Sequence, residues 1–336
     1  MRIRPAITSA LVAPFLFSLP SFAHHAQTGF DLNQEILIEG TVARFDWVNP
    51  HMYLIVDTTG PDGEPAQITG EGLAITQALV DGLDRDALQP GTPVIMRANP
   101  NRRGSGKQVR ILDVTTQDGE IHPFYATNLR TRALTPADSL AGHWAPSTQS
   151  MNAAWGAARN WPITELGRAA QAERVQDGLC IVEPIPFLAT LNEMRTINFN
   201  DDEVVIHYDN SGDHAILTIP FATGHPANVE PSLHGNAIAS WEGETLVIDT
   251  VGFEPNPWGL MTSVPSSAGK HTIERLSLTD DRLRLRYEIW VEDPVYLDEP
   301  VSLMMLWDHR PDIELSPASE ACDHDVAARF IDDQRD

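Results

Sequence analysis

The sequence predicts a mainly β protein made of two barrels in succession, a small barrel followed by a larger antiparallel up-and-down barrel. Two observations carry this prediction. From Glu35 onward, apolar and polar residues alternate in short runs bounded by turn residues, as half-buried strands do. In the second half, three segments share apolar alternation around a tight acidic turn, which is typical of hairpins in a meander: INFNDDEVVIHY, IASWEGETLVIDT and LSLTDDRLRLRYEIW.

The first residues have the features of a secretory signal peptide. Arg2 and Arg4 supply positive charge, residues 6–19 are apolar, and Ala23 is a small residue at a position that signal peptidase reads. The apolar stretch is short for a membrane span, so an uncleaved anchor is the less favoured alternative. We therefore expect cleavage between Ala23 and His24 and a periplasmic or secreted location.

The charge of the chain argues against two classes of partner. The whole chain has 23 basic and 47 acidic residues; without Arg2 and Arg4 the mature chain has 21 against 47, a formal charge of −26. Such a surface repels nucleic acid and anionic membranes. The acidic residues are scattered and 42% of the residues are hydrophobic, which indicates a soluble globular protein rather than a disordered one.

In the first half, the order of the predicted elements is that of an OB-type barrel, three strands, a helix and two strands. A basic loop at residues 101–107 separates the last two strands. The elements are strands at 36–45, 51–57 and 66–69, a helix at 73–83, and strands at 93–98 and 108–114.

Three motifs of this half occur in the same order in a known family. The segments AHHAQTGFD, IEGTVARFDWVNPHMYLIVD and DALQPGTPVIMRANPNRRGSGKQVRILDV resemble the exported bacterial family of unknown function DUF6152 over residues 24–123. The resemblance implies that His24, His25 and His51 correspond to the family's own pattern. It implies no reaction, because the family has no settled activity.

A histidine at the mature N-terminus can chelate a metal ion. Its α-amine and ring Nδ1 close a chelate on one ion, and a third imidazole completes a site that suits copper, with zinc as the second choice. His51 lies beside the first strand turn and is the predicted third ligand; His25 can serve instead or complete the set. The alternative is that His24 and His25 are solvated and that His51 only fixes the turn.

The second half reads as a separate barrel. Residues 124–139 are polar and suit a linker, and residues 162–175 suit one short helix that begins near Pro162. Beyond Leu191 the chain is strand-like, with about eight strands, enough to close a barrel with room for one small ligand. We therefore divide the chain into a signal peptide (1–23), an OB-like domain (24–123), a linker (124–139) and a barrel domain (140–336).

The two-residue period of a strand predicts which side chains of this barrel point inward. Tyr287 shares a face with the apolar residues of its strand, Glu274 shares one with Leu276, and Tyr208 shares one with Ile206. His309 likewise follows Trp307. An apolar cavity with a few polar groups is typical of a ligand site. The alternative is that these groups satisfy one another in a filled core.

This half also resembles an exported bacterial family whose core reads Gly-His-Ser-x-Gly-x-Trp-Glu-Gly-Asp-Thr-Leu-Val-Val-Asp-Thr-x-Gly-Phe. LHGNAIASWEGETLVIDTVGF carries most of the resemblance, which spans residues 138–323 and implies a lipocalin-like barrel. Asn236 replaces the serine, and residues 213–214 lack the family's arginine, so the resemblance implies no charge-based ligand role. His234, His271 and Glu274 match the family. The predicted pocket residues are Tyr208, His234, His271, Glu274, Tyr287, Trp307 and His309.

The two cysteines, Cys180 and Cys322, suit one disulfide in an oxidising compartment. That bond would close a long loop around the second half of the chain. Two buried free thiols are the alternative.

No motif for a nucleophile, a nucleotide or an organic cofactor is present. The favoured hypothesis is therefore a periplasmic binding protein with a copper-competent N-terminus and a hydrophobic pocket. The alternative is a non-redox isomerase, hydratase or cyclase, with Glu274, Tyr287 and His309 as the catalytic residues in that pocket. Turnover of the bound molecule separates the two hypotheses.

Overall fold

A computed structural model of the chain describes residues 29–48, 51–102, 107–125, 133–173, 183–191, 193–209 and 215–313. The predicted cleavage site, the terminal His24 and His25, and the predicted disulfide partners Cys180 and Cys322 lie outside these residues. The statements on the signal peptide, the terminal chelate and the disulfide therefore stay predictions.

The small barrel has the strand order of an OB fold, as the sequence predicts. Strand β1 pairs with both β2 and β4, and β3 pairs in parallel with β5, which closes a five-stranded barrel with α1 between β3 and β4. Its elements are β1 (Ile36–Asp46), β2 (Tyr53–Thr59), β3 (Pro65–Glu71), α1 (Ile75–Asp81), β4 (Pro93–Pro100), β5 (Gln108–Thr116) and a short β6 (Ile121–Pro123) that pairs with β5.

The tight curvature of β1 depends on one glycine. A Cβ at Gly40 would lie 2.3 Å from the carbonyl oxygen of Asp57 on β2, so only glycine allows the two strands to approach this closely. The register of β1 against β2 shifts between Val42 and Arg44, a bulge that bends the strand further. The inner face holds Val42, Leu54, Val94, Met96 and Ile111, all buried.

The large barrel is a nine-stranded antiparallel sheet in which neighbours in sequence are neighbours in space, and the last strand, β15, pairs with the first, β7. This confirms the predicted up-and-down barrel. The strands are β7 (Gly142–Pro146), β8 (Arg195–Phe199), β9 (Glu203–Tyr208), β10 (Ala215–Pro220), β11 (Asn236–Glu242), β12 (Thr245–Val251), β13 (His271–Leu278), β14 (Arg284–Glu292) and β15 (Val301–His309).

The barrel is incomplete between β10 and β11. No ladder joins these two strands; a single parallel bridge between Phe221 and Ala239 and the bond from the Ala222 amide to the Ala239 carbonyl (3.1 Å) hold the edges together. We call this gap in the wall the seam. Elsewhere the inner face is a continuous apolar core that includes Trp144, Ile197, Leu246 and Met305.

Helices are few in the described residues, and those other than α1 belong to the half of the chain that forms the large barrel. The helix predicted at 162–175 is present as α3 (Glu165–Glu173), and α2 (Thr148–Ala158), which the sequence analysis did not predict, packs against β15. A 3-10 helix (Leu188–Thr190) precedes β8. No helix in the described ranges is long and apolar enough to cross a membrane.

Candidate ligand cavity and small-barrel histidine

A cavity of about 200 Å³ lies at the seam of the large barrel. Leu217 and Ile219 of β10 form one wall, and Ala237 of β11 belongs to the other. Its polar lining includes Thr250 and Glu274 from β12 and β13, and His234 from the turn that precedes β11. The cavity is therefore apolar along the seam and polar where it reaches the interior.

A glycine positions His234 at this cavity. Gly235 has a φ of 69°, and a Cβ there would lie 2.7 Å from the Val251 carbonyl oxygen, so the turn into β11 needs glycine. Burial lowers the pKa of His234, and the positive charge of Lys270 lowers it further. The imidazole is thus neutral at neutral pH, and its Nδ1 has no hydrogen-bond partner among the described residues.

Glu274 is the acid at the inner end of the cavity. The Tyr287 hydroxyl donates a hydrogen bond of 2.9 Å to Oε2 of Glu274, whose side chain is almost fully buried. Burial raises the pKa of Glu274 to about 7, against the opposing effect of the Tyr287 bond. Burial and the nearby carboxylate likewise raise the pKa of both Tyr208 and Tyr287. Glu274 can therefore hold or release a proton near neutral pH.

Arg195 brings a positive charge into the same interior. The side chain is fully buried, its Nη2 donates to the carbonyl oxygens of Ala189 (3.1 Å) and Leu191 (2.9 Å), and its Cζ lies 4.4 Å from the Trp307 ring centroid. Burial lowers the pKa of Arg195 to about 10, so the guanidinium stays charged at neutral pH. Its Nε and Nη1 have no hydrogen-bond partner in the described part of the chain. The negative charge of Glu193 opposes the effect of burial on the pKa of Arg195.

Three further polar atoms of the interior are unpaired among the described residues. They are the Tyr208 hydroxyl, Oγ1 of Thr272 and Nε1 of Trp307. All of them can donate, and the indole can do nothing else. The two hydroxyls can also accept, so these atoms suit a bound polar group or an ordered water.

The structure brings together most of the predicted pocket residues. Tyr208, Glu274, Tyr287 and Trp307 all face the interior, the Tyr287 and Trp307 rings stack with centroids 4.6 Å apart, and His234 lines the cavity. The sequence analysis did not identify Arg195. A signal was present, because Arg195, Ile197 and Phe199 alternate along one face of β8.

Two predicted pocket residues lie elsewhere. His271 is on the outer face of β13, where its Nε2 lies 2.8 Å from Oδ1 of Asp249. His309 is at the end of β15, where its ring packs against Trp144 and its Nδ1 donates to the Thr135 carbonyl at 2.8 Å. The contacts of both rings are therefore with groups other than Glu274 and Tyr287.

Lys270 is a second buried cation that the sequence analysis did not identify. Its Nζ donates to the carbonyl oxygens of Ile185 (2.7 Å) and Gly259 (3.1 Å) and lies 3.9 Å from the Phe253 ring centroid. Burial lowers the pKa of Lys270 to about 7, and Asp293 acts in the opposite direction. Lys270 thereby ties two loops together beside the cavity, of which Ile185 is a lining residue.

In the small barrel, His51 is oriented as a metal-binding histidine would be. Its Nδ1 lies 3.1 Å from the Gly72 carbonyl, which can only accept, so Nδ1 carries the proton and Nε2 carries the lone pair. Burial lowers the pKa of His51 and favours the neutral ring that metals require. Glu71, the nearest carboxylate, lies 3.4 Å from Nδ1.

The described residues alone contain no group of three metal-ligating side chains. A site at His51 therefore needs further ligands from the part of the chain that is not described, which includes His24 and His25. The nitrogen donors of that set fit copper, and this structure gives no coordination geometry for them.

Comparison with known proteins identifies one family. A family of unknown function, DUF6152, matches residues 14–110, a span that includes His24, His25 and His51, all of β1 to β4 and the start of β5. This confirms the resemblance for the small barrel. No curated protein matches the chain.

Proposed function

We propose that the large barrel binds a small lipophilic molecule, which enters through the seam between β10 and β11. The observation that carries this proposal is the cavity of about 200 Å³ that runs from the seam to Glu274. Apolar walls with a few polar groups at one end are typical of ligand pockets. The resemblance of residues 138–323 to an exported family with lipocalin-like barrels agrees with this role.

The size of the cavity limits the ligand. A dry cavity of roughly 150 Å³ is enough for benzene, so this one suits a single ring or a short alkyl chain. A longer ligand would extend out through the seam, where the exposed Ile216 lies. The bound molecule is thus small, or partly exposed at the seam.

We also propose that the exported, mature chain holds copper at His24 and His51, with His25 as an alternative or additional ligand. The support is the hydrogen bond from His51 Nδ1 to the Gly72 carbonyl, which fixes the tautomer in which Nε2 carries the lone pair. No organic cofactor is needed for either role.

An enzyme is the second candidate, and one observation favours it. The pKa of Glu274, raised to about 7 by burial, suits proton transfer at neutral pH. Glu274 and Tyr287 would then be the acid and base groups of an isomerase, hydratase or cyclase. His309 would not belong to this pair, because its contacts among the described residues are with Trp144 and the Thr135 carbonyl rather than with Glu274 or Tyr287.

Two phenylalanine substitutions on neighbouring residues test the binding proposal. Ala237 lines the cavity, whereas Ile238 is on the opposite face of β11. The neutral fluorophore N-phenyl-1-naphthylamine can place its phenyl ring in the cavity and leave its naphthyl group at the seam. It should brighten on binding to the parent protein and to the Ile238→Phe variant, and Ala237→Phe should abolish the signal. Equal binding by both variants would rule out the seam cavity. A natural ligand recovered unchanged supports a binder, and one recovered in rearranged form supports the enzyme.

A further inference from the structure

We propose that the ligand of the large barrel is an uncharged lipophilic molecule with a carbonyl oxygen, such as an aryl ketone, and that this oxygen accepts a hydrogen bond from the protonated carboxyl group of Glu274. This inference rests on the proposed function and names the chemical class of the molecule. Three observations support it: the free carboxyl oxygen of Glu274, the charges around the cavity, and the apolar walls of a small volume.

The hydrogen bond between Tyr287 and Glu274 determines which carboxyl oxygen is left for a ligand. The Tyr287 hydroxyl donates to Oε2 (2.9 Å), and the carboxyl group makes no other hydrogen bond within the described part of the chain. Because Oε2 is the acceptor of this pair, the acid proton of Glu274 belongs on Oε1. Glu274 lines the cavity, and a buried donor there needs an acceptor. A ligand carbonyl oxygen is such an acceptor.

Burial keeps Glu274 protonated in slightly acidic solution. Its side chain is almost fully buried, and burial raises its pKa to about 7. The titratable groups that interact with it are Tyr287 of β14 and Tyr208 of β9. Burial raises the pKa of both phenols, so they stay neutral when Glu274 titrates. Below pH 7 the inner end of the cavity therefore holds an uncharged donor.

The charges around the cavity disfavour an ionic ligand. A carboxylate would lie beside the carboxyl group of Glu274, and no described residue of the lining is a cation that would pair with it. An ammonium group would be repelled by Lys270. Burial lowers the pKa of the lining residue His234, and the positive charge of Lys270 lowers it further, so this charge reaches the cavity. A neutral carbonyl compound meets neither repulsion.

The walls of the cavity match the rest of such a molecule. The volume is about 200 Å³, and Leu217, Ile219 and Ala237 form its apolar sides. A pocket with apolar walls and a few polar groups at one end binds a molecule whose own polar atoms are few and grouped. Acetophenone has this composition, with one ring for the walls and one carbonyl oxygen for Glu274.

A competition experiment with compounds of nearly the same shape tests the carbonyl group. N-phenyl-1-naphthylamine is bound to the full-length protein at pH 6 and displaced with acetophenone or with α-methylstyrene, in which a methylene group replaces the carbonyl oxygen. We define the carbonyl preference as the displacing concentration of α-methylstyrene divided by that of acetophenone. This preference should be about fivefold higher in the parent protein than in Glu274→Leu, the change expected for one hydrogen bond.

Two controls accompany this comparison. Glu288→Leu makes the same chemical change at an exposed side chain of β14, and it should keep the carbonyl preference of the parent protein. Benzoate and 1-phenylethylammonium are similar in shape to acetophenone but carry a charge. Both should need about tenfold higher concentrations than acetophenone to displace the probe.

Titration of Glu274 gives a second readout that does not depend on the leucine variant. At pH 8.5 the carboxylate of the parent protein is ionised and can only accept, so the carbonyl preference should fall about fivefold. Glu274→Gln should make the preference independent of pH, because the amide nitrogen donates at both pH values while the amide oxygen accepts from Tyr287. Lys270 titrates in the same range, and Glu274→Gln retains it, which separates the two groups.

The outcomes are distinct. Circular dichroism checks the fold of each variant, and if Glu274→Leu does not fold, the comparison of pH 6 with pH 8.5 decides the result. A carbonyl preference that is equal in the parent protein and Glu274→Leu, or equal in the parent at both pH values, would overturn the inference and leave the binding function standing. Displacement by benzoate or 1-phenylethylammonium at lower concentration than acetophenone would also overturn it. Failure of the parent protein to bind the probe or any competitor would instead overturn the proposed function.

Discussion

The raised pKa of Glu274 should make the large barrel less stable as the pH rises toward neutrality. In the folded protein burial holds this pKa at about 7, whereas a glutamate in the unfolded chain ionises near 4.5. Between these values the folded state binds one proton more than the unfolded state, so the free energy of unfolding falls with increasing pH. At 1.36 kcal/mol per pKa unit, this difference corresponds to about 3 kcal/mol.

Glu274→Gln should remove this loss. The amide cannot ionise, and its carbonyl oxygen can still accept from the Tyr287 hydroxyl. At about pH 5 the variant and the parent should have similar stability, and at about pH 7.5 the variant should be more stable by about 2 to 3 kcal/mol.

The assay is urea unfolding at both pH values, followed by tryptophan fluorescence. This signal reports mainly on the large barrel, because every tryptophan except Trp47 lies in it. Glu288→Gln is the control, since this substitution makes the same chemical change at a side chain on the exposed face of β14. A difference between parent and Glu274→Gln that does not change with pH would refute the reasoning.

Three further predictions concern Lys270, the copper chelate at His24 and the two cysteines. Lys270→Met should remove a gain of about 3 to 4 kcal/mol in stability between pH 7 and pH 10, because burial lowers the pKa of Lys270 to about 7 and the folded state then binds fewer protons than the unfolded state; urea unfolding over that range checks it. One extra residue before His24 should weaken copper binding strongly, and His51→Ala should weaken it without abolishing it, as measured by competition with a copper chelator; equal affinity of the extended and native forms would contradict the chelate. Thiol labelling of denatured, unreduced protein should be negligible, whereas stoichiometric labelling would show that Cys180 and Cys322 are not bonded.

Much of the fold was predictable because its signals are local. The alternation of apolar and polar residues defines the strands, and their order around α1 defines the OB barrel. The same two-residue period placed Tyr208, Glu274 and Tyr287 on the inner face, where the structure has them.

The polar interior was harder to predict in full. Arg195 lies in the region that the sequence predicts to be strand-like, but it precedes the hairpin segment that begins at Ile197. A buried arginine is also unusual, so its side chain was not assigned to the interior. Lys270 ends a long irregular loop, where no periodicity indicates which way a side chain points. His271 matches a family pattern, but a match of residue type does not indicate which face of the strand the side chain occupies. Its neighbour Thr272 occupies the inner face of β13.

The seam could not be predicted from strand patterns, because closure of a barrel depends on the register of strands that are distant in sequence. Burial alternates along most of β10 but not along β11, and neither pattern indicates a missing ladder. The two strands do not form a ladder. Residues 221–235 connect them, and a single bridge between Phe221 and Ala239 joins the two edges.

The central claim is that the seam cavity of the large barrel holds a small molecule, and native mass spectrometry of the protein purified after export tests it most directly. The parent protein, as purified or after incubation with N-phenyl-1-naphthylamine, should carry one small-molecule adduct. The adduct should persist in Ile238→Phe and disappear in Ala237→Phe, whose ring fills the cavity. An adduct retained by Ala237→Phe, or the mass of the polypeptide alone in the parent both before and after incubation, would contradict the claim.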